Sequence, residues 1–355
     1  MTHELLLKVL AAYRLSSHAT VQLFGSGLIN NTWKILVDGQ AFILQKINEQ
    51  VFRQPESIAE NIENIAVYLK HHHPDYLFVT PIKTIAGEAM LQLREEGCFR
   101  MFPFVKNATT YNVVATPQQA FEAANQFGLF TKKLNAFPVH RLKITLPDFH
   151  NLTLRHHQFK DACKHGNESR IRESAAAIHF LGSQNYLVET YEEIIASNHF
   201  TLRVTHHDTK ISNVLINQND QALCVIDLDT VMPGYFISDV GDMMRTYLSP
   251  ASEEEKDFSQ IEIREEFFRA IVEGYLKEMR SELSDAEIRH FVYSGLYLIY
   301  MQALRFLIDH LNNDIYYGAA YPGQNLLRAQ NQITLLQKLL QHQRRLNEIV
   351  LETAG

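Results

Sequence analysis

The sequence predicts an α+β protein in which a small, β-rich lobe precedes a larger and mostly helical lobe. Residues 21 to 47 alternate apolar and polar side chains in three short bursts separated by turn residues, which is typical of an antiparallel meander. Beyond "FRMFPFV", residues 99 to 105, the spacing of apolar residues lengthens from two towards 3.6, which indicates helices. We therefore expect lobes at residues 1–103 and 104–355.

Within the small lobe, "MTHELLLKVLAAYRLSS" predicts an amphipathic first helix rather than a signal peptide. The strands "VQLF", "TWKILV" and "FILQKI" follow, with Asp38 and Gly39 as a hairpin turn between the last two. One main helix is expected from about Pro55 to Tyr68, and two strand-like runs near 77–85 and 89–93 should complete the sheet. In the larger lobe, a short sheet is predicted at residues 202 to 228, and helices are predicted at 117–134, 153–164, 168–196, 253–280, 284–312 and 323–348.

Composition narrows the classes of partner. The chain carries 33 basic and 40 acidic side chains, a net charge of −7, which argues against a nucleic-acid groove or an anionic membrane surface. A small molecule is the expected partner, with no nucleic acid and no membrane. Three widely spaced cysteines and no expected membrane-spanning run predict a cytoplasmic protein without disulfides.

The string "VTHHDTKISNVLIN", residues 204 to 217, places His206, Asp208 and Asn213 in the spacing H-x-D-x-x-x-x-N, and Asp227 follows the apolar run "ALCVI". Phosphoryl transfer needs a carboxylate that orients and deprotonates a hydroxyl, together with oxygen ligands for magnesium. Either string alone is more typical of a polar turn or a strand end. Their joint spacing, downstream of a β-rich lobe with a glycine loop, predicts a phosphotransferase site.

Together these residues resemble the small-molecule branch of the kinase superfamily, the aminoglycoside phosphotransferase and choline kinase-like family. The resemblance implies a protein-kinase-like two-lobed fold, with ATP and Mg²⁺ as cofactors. It implies that Asp208 is the catalytic base, that Asn213 and Asp227 are magnesium ligands, and that His206 supports the loop. For Asp229 a second metal site and a hydrogen-bonding role are equally open.

The chain also departs from the protein kinases proper. Residue 207 is histidine where they have an arginine that binds activation-loop phosphate, "DLD" stands in place of D-F-G, and no A-P-E signature follows. Regulation by activation-loop phosphorylation is therefore not expected. After "DLD", Asp239 and Asp242 in "SDVGDMMR" are expected to hold the catalytic loop rather than to contact substrate.

On the nucleotide side, "LFGSGLINNTWKI" supplies Gly25 and Gly27, whose backbone N–H groups can approach phosphates. Asn30 stands where a third glycine would complete G-x-G-x-x-G. Neighbours on a strand face opposite sides, so only one of Gln45 and Lys46 can reach the phosphates.

Between those two, Lys46 carries the charge and is preferred, although counting along the strand gives Gln45 the family's lysine position. Glu60 or Glu56 would be its partner on the helix, with a solvated helix charge equally open.

Longer strings, among them "GLINNTWKI", "FILQKINEQVF", "PDFHNLTLR", "VIDLDTVMPG" and "LRFLIDHLNNDIYYG", are similar in order to the bacterial N-acetylhexosamine 1-kinases. This resemblance implies transfer of the ATP γ-phosphate to the anomeric hydroxyl of N-acetylglucosamine or N-acetylgalactosamine. It implies sugar contacts at Arg305 and Tyr317 and an aromatic wall at Tyr247, while an Arg305–Asp309 pair within the helix is equally open. A kinase for a cationic amino-alcohol or aminoglycoside is the alternative, and an idle nucleotide-binding module is a third hypothesis.

Overall fold

The computed structural model describes residues 1–25 and 29–355. The strands are Thr20–Leu23 (β1), Asn31–Val37 (β2), Gln40–Lys46 (β3), Leu91–Leu93 (β4), Gly97–Pro103 (β5), Ala108–Thr109 (β6), Arg203–Thr205 (β7), Val214–Asn217 (β8), Ala222–Val225 (β9) and Met232–Gly234 (β10). The helices are His3–Ala12 (α1), Pro55–His72 (α2), Pro117–Lys133 (α3), Leu152–His165 (α4), Glu168–Glu173 (α5), Ala175–Ser183 (α6), Tyr186–Ala196 (α7), Phe236–Tyr247 (α8), Glu265–Met279 (α9), Asp285–Arg289 (α10), Phe291–Leu311 (α11) and Gln324–Ala354 (α12).

The small sheet is antiparallel and has the strand order β1-β2-β3-β5-β4. Its β2–β3 hairpin turns at Asp38 and Gly39, which both have positive φ, 50° and 73°, as the predicted turn requires. One face of the sheet packs on α1 in a core of its own, formed with Trp33, Ile35, Leu44, Phe99 and Met101 among others. The predicted α+β class, with a small antiparallel sheet ahead of a helical lobe, is confirmed.

Helix α2 begins with Pro55 in its first turn and buries the predicted apolar face, Ile58, Ile62, Ile65 and Leu69. Those residues do not join the core beneath the small sheet. They belong to the large core, which is built mainly from the helices after residue 117. The helix therefore connects the small sheet to the larger lobe.

Several element boundaries differ from the predictions. The string "FRMFPFV" contributes most of β5, while 77–85 forms no strand. The helix expected over 168–196 is three helices, since Ser174 and Asn185 each lie at a helix boundary. Residues 253–264 contain only a short 3-10 turn, capped by Asp257, so α9 begins at Glu265.

Helix α11 corrects the expectation that no segment approaches membrane-spanning length. By length and composition it is apolar enough to cross a membrane, and it is the one such helix among the described residues. In the structure, however, 83% of its most apolar stretch is buried, mostly against α12 and α8.

Two short sheets position the polar residues of the central motif. Strand β7 pairs with β10, and β6, β8 and β9 form a second sheet. The segment between β7 and β8 carries His206, Asp208 and Asn213, and the turn after β9 carries Asp227 and Asp229. The two segments are thereby placed side by side.

Candidate active site

The loop between β7 and β8 fixes the geometry of Asp208. The amide nitrogen of Asn213 donates to the Asp208 backbone oxygen at 2.8 Å and to its carboxylate at 3.0 Å. His207, one residue earlier, has φ 66°, a left-handed conformation uncommon for a residue with a side chain. The Asp208 side chain keeps 23% of its surface exposed, so its carboxylate is fixed in position and accessible.

Lys210 was not singled out from the sequence. Its Nζ lies 3.2 Å from the Asp208 carboxylate. Burial opposes its charge, but the carboxylates of Asp208 and Asp242 outweigh that effect and raise the pKa of Lys210. A cation two residues beyond Asp208 therefore lies beside the carboxylate that is predicted to be the base.

Side chains of helix α8 bind the backbone of this loop. The buried carboxylate of Asp239 accepts the backbone N–H groups of His206 at 3.0 Å and His207 at 2.7 Å. Asp242 accepts the N–H of Thr209 at 2.8 Å. Burial raises the pKa of Asp239 to about 7, although the two backbone N–H groups favour its charged form.

Tyr247 belongs to this support, which corrects its expected role as an aromatic wall for a sugar. Its side chain has no exposed surface, and its hydroxyl donates to the carbonyl oxygen of Thr209 at 2.5 Å. A ligand cannot stack on a ring that is fully enclosed by protein. The hydroxyl therefore anchors the loop.

His206 links the catalytic loop to the turn after β9. Its Nε2 lies 3.0 Å from the carbonyl oxygen of Ile226, and this carbonyl can only accept, so Nε2 carries the proton. Burial lowers the pKa of the imidazole, which favours the neutral ring. The hydroxyl of Thr230 donates to the backbone oxygen of His206 at 2.6 Å. His206 thus lies where the predicted supporting role requires it.

The turn after β9 gathers acidic groups. Asp227 has φ 60° and an exposed side chain, yet desolvation by the surrounding protein raises its pKa to about 7, with further contributions from the carboxylates of Asp229 and Asp208. Arg100 and Lys210 act in the opposite direction. A further cation beside Asp227 would favour the charged form of its carboxylate.

A divalent ion with oxygen ligands fits Asp227 and Asn213. Asn213 uses its amide nitrogen on Asp208, so its amide oxygen is the atom that it can offer. Within the described ranges no three His, Cys, Asp or Glu side chains are arranged to hold a metal by themselves. Two protein ligands with phosphate oxygens and water are nevertheless the usual coordination of Mg²⁺ in phosphoryl-transfer sites.

Asp229 has partners of a different kind. Its Oδ2 accepts the amide N–H of Asn30 at 2.7 Å, and its Oδ1 lies 2.5 Å from Nη2 of Arg100. Of the two roles open for Asp229, the structure shows the hydrogen-bonding one. Asn30, at the place of the missing third glycine, also accepts the backbone N–H of Asn48 at 3.0 Å.

The glycine loop is described only in part. Gly25 has φ 76°, which favours glycine there. Gly27 lies outside the described residues, so its predicted contact with phosphates stays a prediction.

Strand β3 corrects the preference for Lys46. Gln45 is directly opposite Arg100 on β5, and its Oε1 accepts Nε and Nη2 of Arg100 at 3.0 and 2.8 Å. Through Arg100 that face of the sheet reaches Asp229. Lys46 points to the other face, where its Nζ lies 5.8 Å from the ring centroid of Phe99. Gln45 therefore faces the site, and Lys46 does not.

The prediction that Glu60 is the helix partner of the β3 cation is also wrong. Its carboxylate is exposed and lies 3.5 Å from Nζ of Lys143. The next residue, Asn61, is buried and donates to the carbonyl oxygens of Lys143 at 2.9 Å and Val231 at 3.0 Å. A neutral amide, rather than a carboxylate, joins α2 to the turn that carries Asp227.

Arg305, the first of the predicted sugar-binding residues, is surrounded by aromatic rings. Its guanidinium carbon lies 5.6, 6.0 and 5.5 Å from the ring centroids of Phe149, Tyr316 and Tyr317, and Nη1 donates to Gln302 at 3.3 Å. The alternative pair with Asp309 does not form.

The Asp309 carboxylate instead accepts the backbone N–H groups of Tyr316 at 2.7 Å and Tyr317 at 2.9 Å. Arg305 and Tyr317 are thus close together. A cavity of about 970 Å³ is lined by both, together with Arg155 and residues of α4.

A chain of polar side chains that was not predicted from the sequence connects this region with the catalytic loop. Ser238 contacts Nδ1 of His207 at 2.9 Å and also Nδ1 of His150, whose ring stacks on Phe149 at 4.4 Å between centroids. Burial lowers the pKa of His207 to about 4 and that of His150 well below its usual range. His150 is 57 residues from His207 along the chain, so no local spacing could join them.

Comparison with known proteins identifies a family. The model of the phosphotransferase enzyme family matches residues 20–283. A microcompartment-associated aminopropanol kinase is similar with a TM-score of 0.66 and 15% identity, over 98% of this chain and 99% of that one. An amicoumacin kinase, solved with AMP-PNP and Ca²⁺, has a TM-score of 0.65 and 14% sequence identity, over 94% of this chain and 93% of that one. A choline kinase from Cryptosporidium parvum has a TM-score of 0.57 and 14% sequence identity, over 99% of each chain.

Proposed function

Because the chain belongs to the phosphotransferase enzyme family, we propose that it uses ATP and Mg²⁺ to phosphorylate the anomeric hydroxyl of an N-acetylhexosamine. ATP and a divalent ion fit the acidic turn at Asp227 and the amide of Asn213, and the amicoumacin kinase was solved with an ATP analogue and Ca²⁺. The sugar acceptor is supported by the environment of Arg305. A cytoplasmic setting and a small-molecule partner belong to the same proposal.

The proposed chemistry assigns the reacting proton to Asp208. The acceptor oxygen attacks the γ-phosphorus as the bond to the β–γ bridging oxygen breaks, and the hydroxyl proton passes to the Asp208 carboxylate. Mg²⁺ supplies neutralisation of phosphate charge when it is bound. Lys210, 3.2 Å from Asp208, adds a positive charge beside the transferring group. Most of the rate acceleration should come from positioning and charge neutralisation.

The observation that carries the sugar proposal is the guanidinium packed among three rings. Quaternary or primary ammonium substrates bind on aromatic faces or beside free carboxylates. Here a cation of the protein already lies against Phe149, Tyr316 and Tyr317. Arginine beside aromatic rings matches instead the hydroxyl edge and apolar face of a neutral sugar.

Three nearby carboxylates support the same assignment, because each is already engaged. Asp309 accepts two backbone N–H groups, Asp314 lies 2.5 Å from Arg170, and Asp242 bonds Arg245 at 2.8 Å. Burial is the main cause of the lowered pKa of His150, and the guanidinium groups of Arg305, Arg245 and Arg155 act in the same direction, so three cations lie near this ring. An added cation would meet repulsion.

The alternative acceptor is a cationic amino-alcohol or an aminoglycoside. It is favoured by the similar folds, which include aminopropanol and choline kinases, and by the net charge of −7, which would attract a cation. The fold alone does not choose between these acceptors. An idle nucleotide-binding module is less consistent with the site, because Asp208 is accessible and fixed by Asn213.

The test is ADP release from ATP and Mg²⁺ with a panel of N-acetylglucosamine, N-acetylgalactosamine, unmodified hexoses, choline, aminopropanol and spectinomycin. We expect turnover with an N-acetylated sugar and identification of its 1-phosphate by ³¹P NMR. Arg305→Ala should raise the sugar KM about 10- to 100-fold, with the exposed Arg344→Ala as the matched control. Turnover of an amine without any sugar turnover would reject the proposal.

A further inference from the structure

Arg100 is a buried cation that the proposed reaction does not yet use. It has 1% exposed surface, and it lies between Gln45 on β3 and Asp229 in the turn that follows β9. Arg100 therefore lies between the small sheet and the acidic turn, where the phosphates of a nucleotide pass in kinases.

The bonding of Arg100 is incomplete. Within the part of the chain that the structure describes, Nη1 has no hydrogen-bond partner, and neither does Oδ1 of Asp229, although that oxygen is 2.5 Å from Nη2. Buried donors without partners are rare and call for a ligand or water. A guanidinium binds phosphate through paired N–H groups, which suits one with a free nitrogen.

The pairing of β3 with β5 explains why a phosphate-binding cation would be at Arg100. In protein kinases the lysine that contacts the phosphates is on the third strand. The residue of β3 that faces the site in this chain is Gln45, which has no charge, and the side chain directly opposite it on β5 is Arg100. Cross-strand neighbours in register lie about 5 Å apart, so the charge is displaced by one strand on the same face.

We propose that Arg100 is the phosphate-binding cation of this enzyme, with Gln45 orienting its guanidinium. When nucleotide enters, Arg100 exchanges part of its contact with Asp229 for the α- and β-phosphate oxygens. The proposal rests on ATP as the donor, and it is independent of the acceptor. It differs from the sequence-based preference for Lys46, whose side chain is on the other face of β3.

The experiment compares Arg100→Gln with Lys46→Gln, which removes one charge from the opposite face of the same sheet. Binding of ADP and of adenosine is measured for each by titration calorimetry with Mg²⁺. Wild-type protein should bind ADP more tightly than adenosine. Arg100→Gln should lose about 10- to 100-fold of ADP affinity with adenosine affinity unchanged within twofold, and Lys46→Gln should change neither.

A rescue variant separates phosphate binding from a purely structural role. Gln45→Lys combined with Arg100→Gln puts a cation back on the face that points at Asp229, and it should restore part of the lost ADP affinity. The ADP-to-adenosine ratio is taken within one variant, so it does not depend on the folded fraction. If Arg100→Gln does not fold, Arg100→Met, which suits the buried position, is tested in the same way.

Four outcomes would overturn the inference. Equal loss of ADP and adenosine affinity would show that Arg100 only maintains the structure. Unchanged ADP affinity in the Arg100 variants, or a loss of ADP affinity in Lys46→Gln, would place the phosphate-binding cation elsewhere. Wild-type protein that binds no adenine nucleotide would remove the ATP donor and this inference together, whereas a failed sugar panel would leave this inference intact.

Discussion

The catalytic loop and the strands that face it secure their charges in different ways. The loop is held through its own backbone: the carboxylates of Asp239 and Asp242 accept N–H groups of the loop, and the hydroxyl of Tyr247 donates to one of its carbonyl groups. On the strand side, one buried arginine is bound to Asp229 and to the amide of Gln45. The loop is a preformed support, whereas the strand side contains an ion pair that a ligand can enter.

Replacement of the base on the loop side should give the largest effect. Asp208→Asn keeps a hydrogen-bonding group beside Asn213 and Lys210 but cannot take the acceptor proton. We expect kcat to fall about 10²- to 10⁴-fold, with ADP affinity within threefold of wild type. Steady-state ADP release and calorimetry measure the two quantities.

A loss of ADP affinity together with kcat would show that the loop also contributes to nucleotide binding, which the comparison above assigns to the strand side. Asp75→Asn, an exposed position after α2, is the matched control. Turnover at the wild-type rate in Asp208→Asn would show that another group takes the proton.

The dependence of stability on acid pH tests the burial of His207 in the catalytic loop. Burial lowers the pKa of His207 from 6.5 to about 4, so the folded protein favours the neutral ring. The stability due to this shift is complete above pH 6.5 and is lost as the pH falls through about 4, because the unfolded chain binds the proton first. The loss should be on the order of 3 kcal/mol at the acid end.

His207→Asn removes the titrating ring and tolerates the left-handed backbone at this position. Between pH 6.5 and 4 its unfolding free energy should therefore depend less on pH than that of the wild type. Urea unfolding at a series of pH values measures this slope. His165→Asn, an exposed histidine, should keep the wild-type slope, and an equal slope in both variants would contradict the burial argument.

The same contrast explains what the sequence could predict. His206, Asp208 and Asn213 lie within eight residues of one segment, and Asp227 follows β9 by two residues, so spacing along the chain was enough to predict that they lie together. Most of the helices were predictable from local periodicity, and the hairpin was predictable from its turn residues Asp38 and Gly39.

Arg100 could not be found in that way. Its relation to Gln45 depends on the pairing of β3 with β5 across α2, and the two residues are 55 positions apart in the sequence. The predicted role of Tyr247 as a wall of the sugar site was wrong for a similar reason. An aromatic residue at a plausible position gives no sign from sequence of whether its ring is open to a ligand or enclosed by α8 and its neighbours.

The smallest expected effect comes from the hydroxyl of Tyr247. Tyr247→Phe keeps the enclosed ring and removes only the bond to the Thr209 carbonyl, so stability should fall by about 1 kcal/mol. The sugar KM should stay within twofold, since the ring has no exposed face for a ligand. Thermal unfolding and steady-state kinetics measure both. A large rise in KM with unchanged stability would return Tyr247 to the acceptor site, and Tyr186→Phe, a partly exposed tyrosine on α7, is the control.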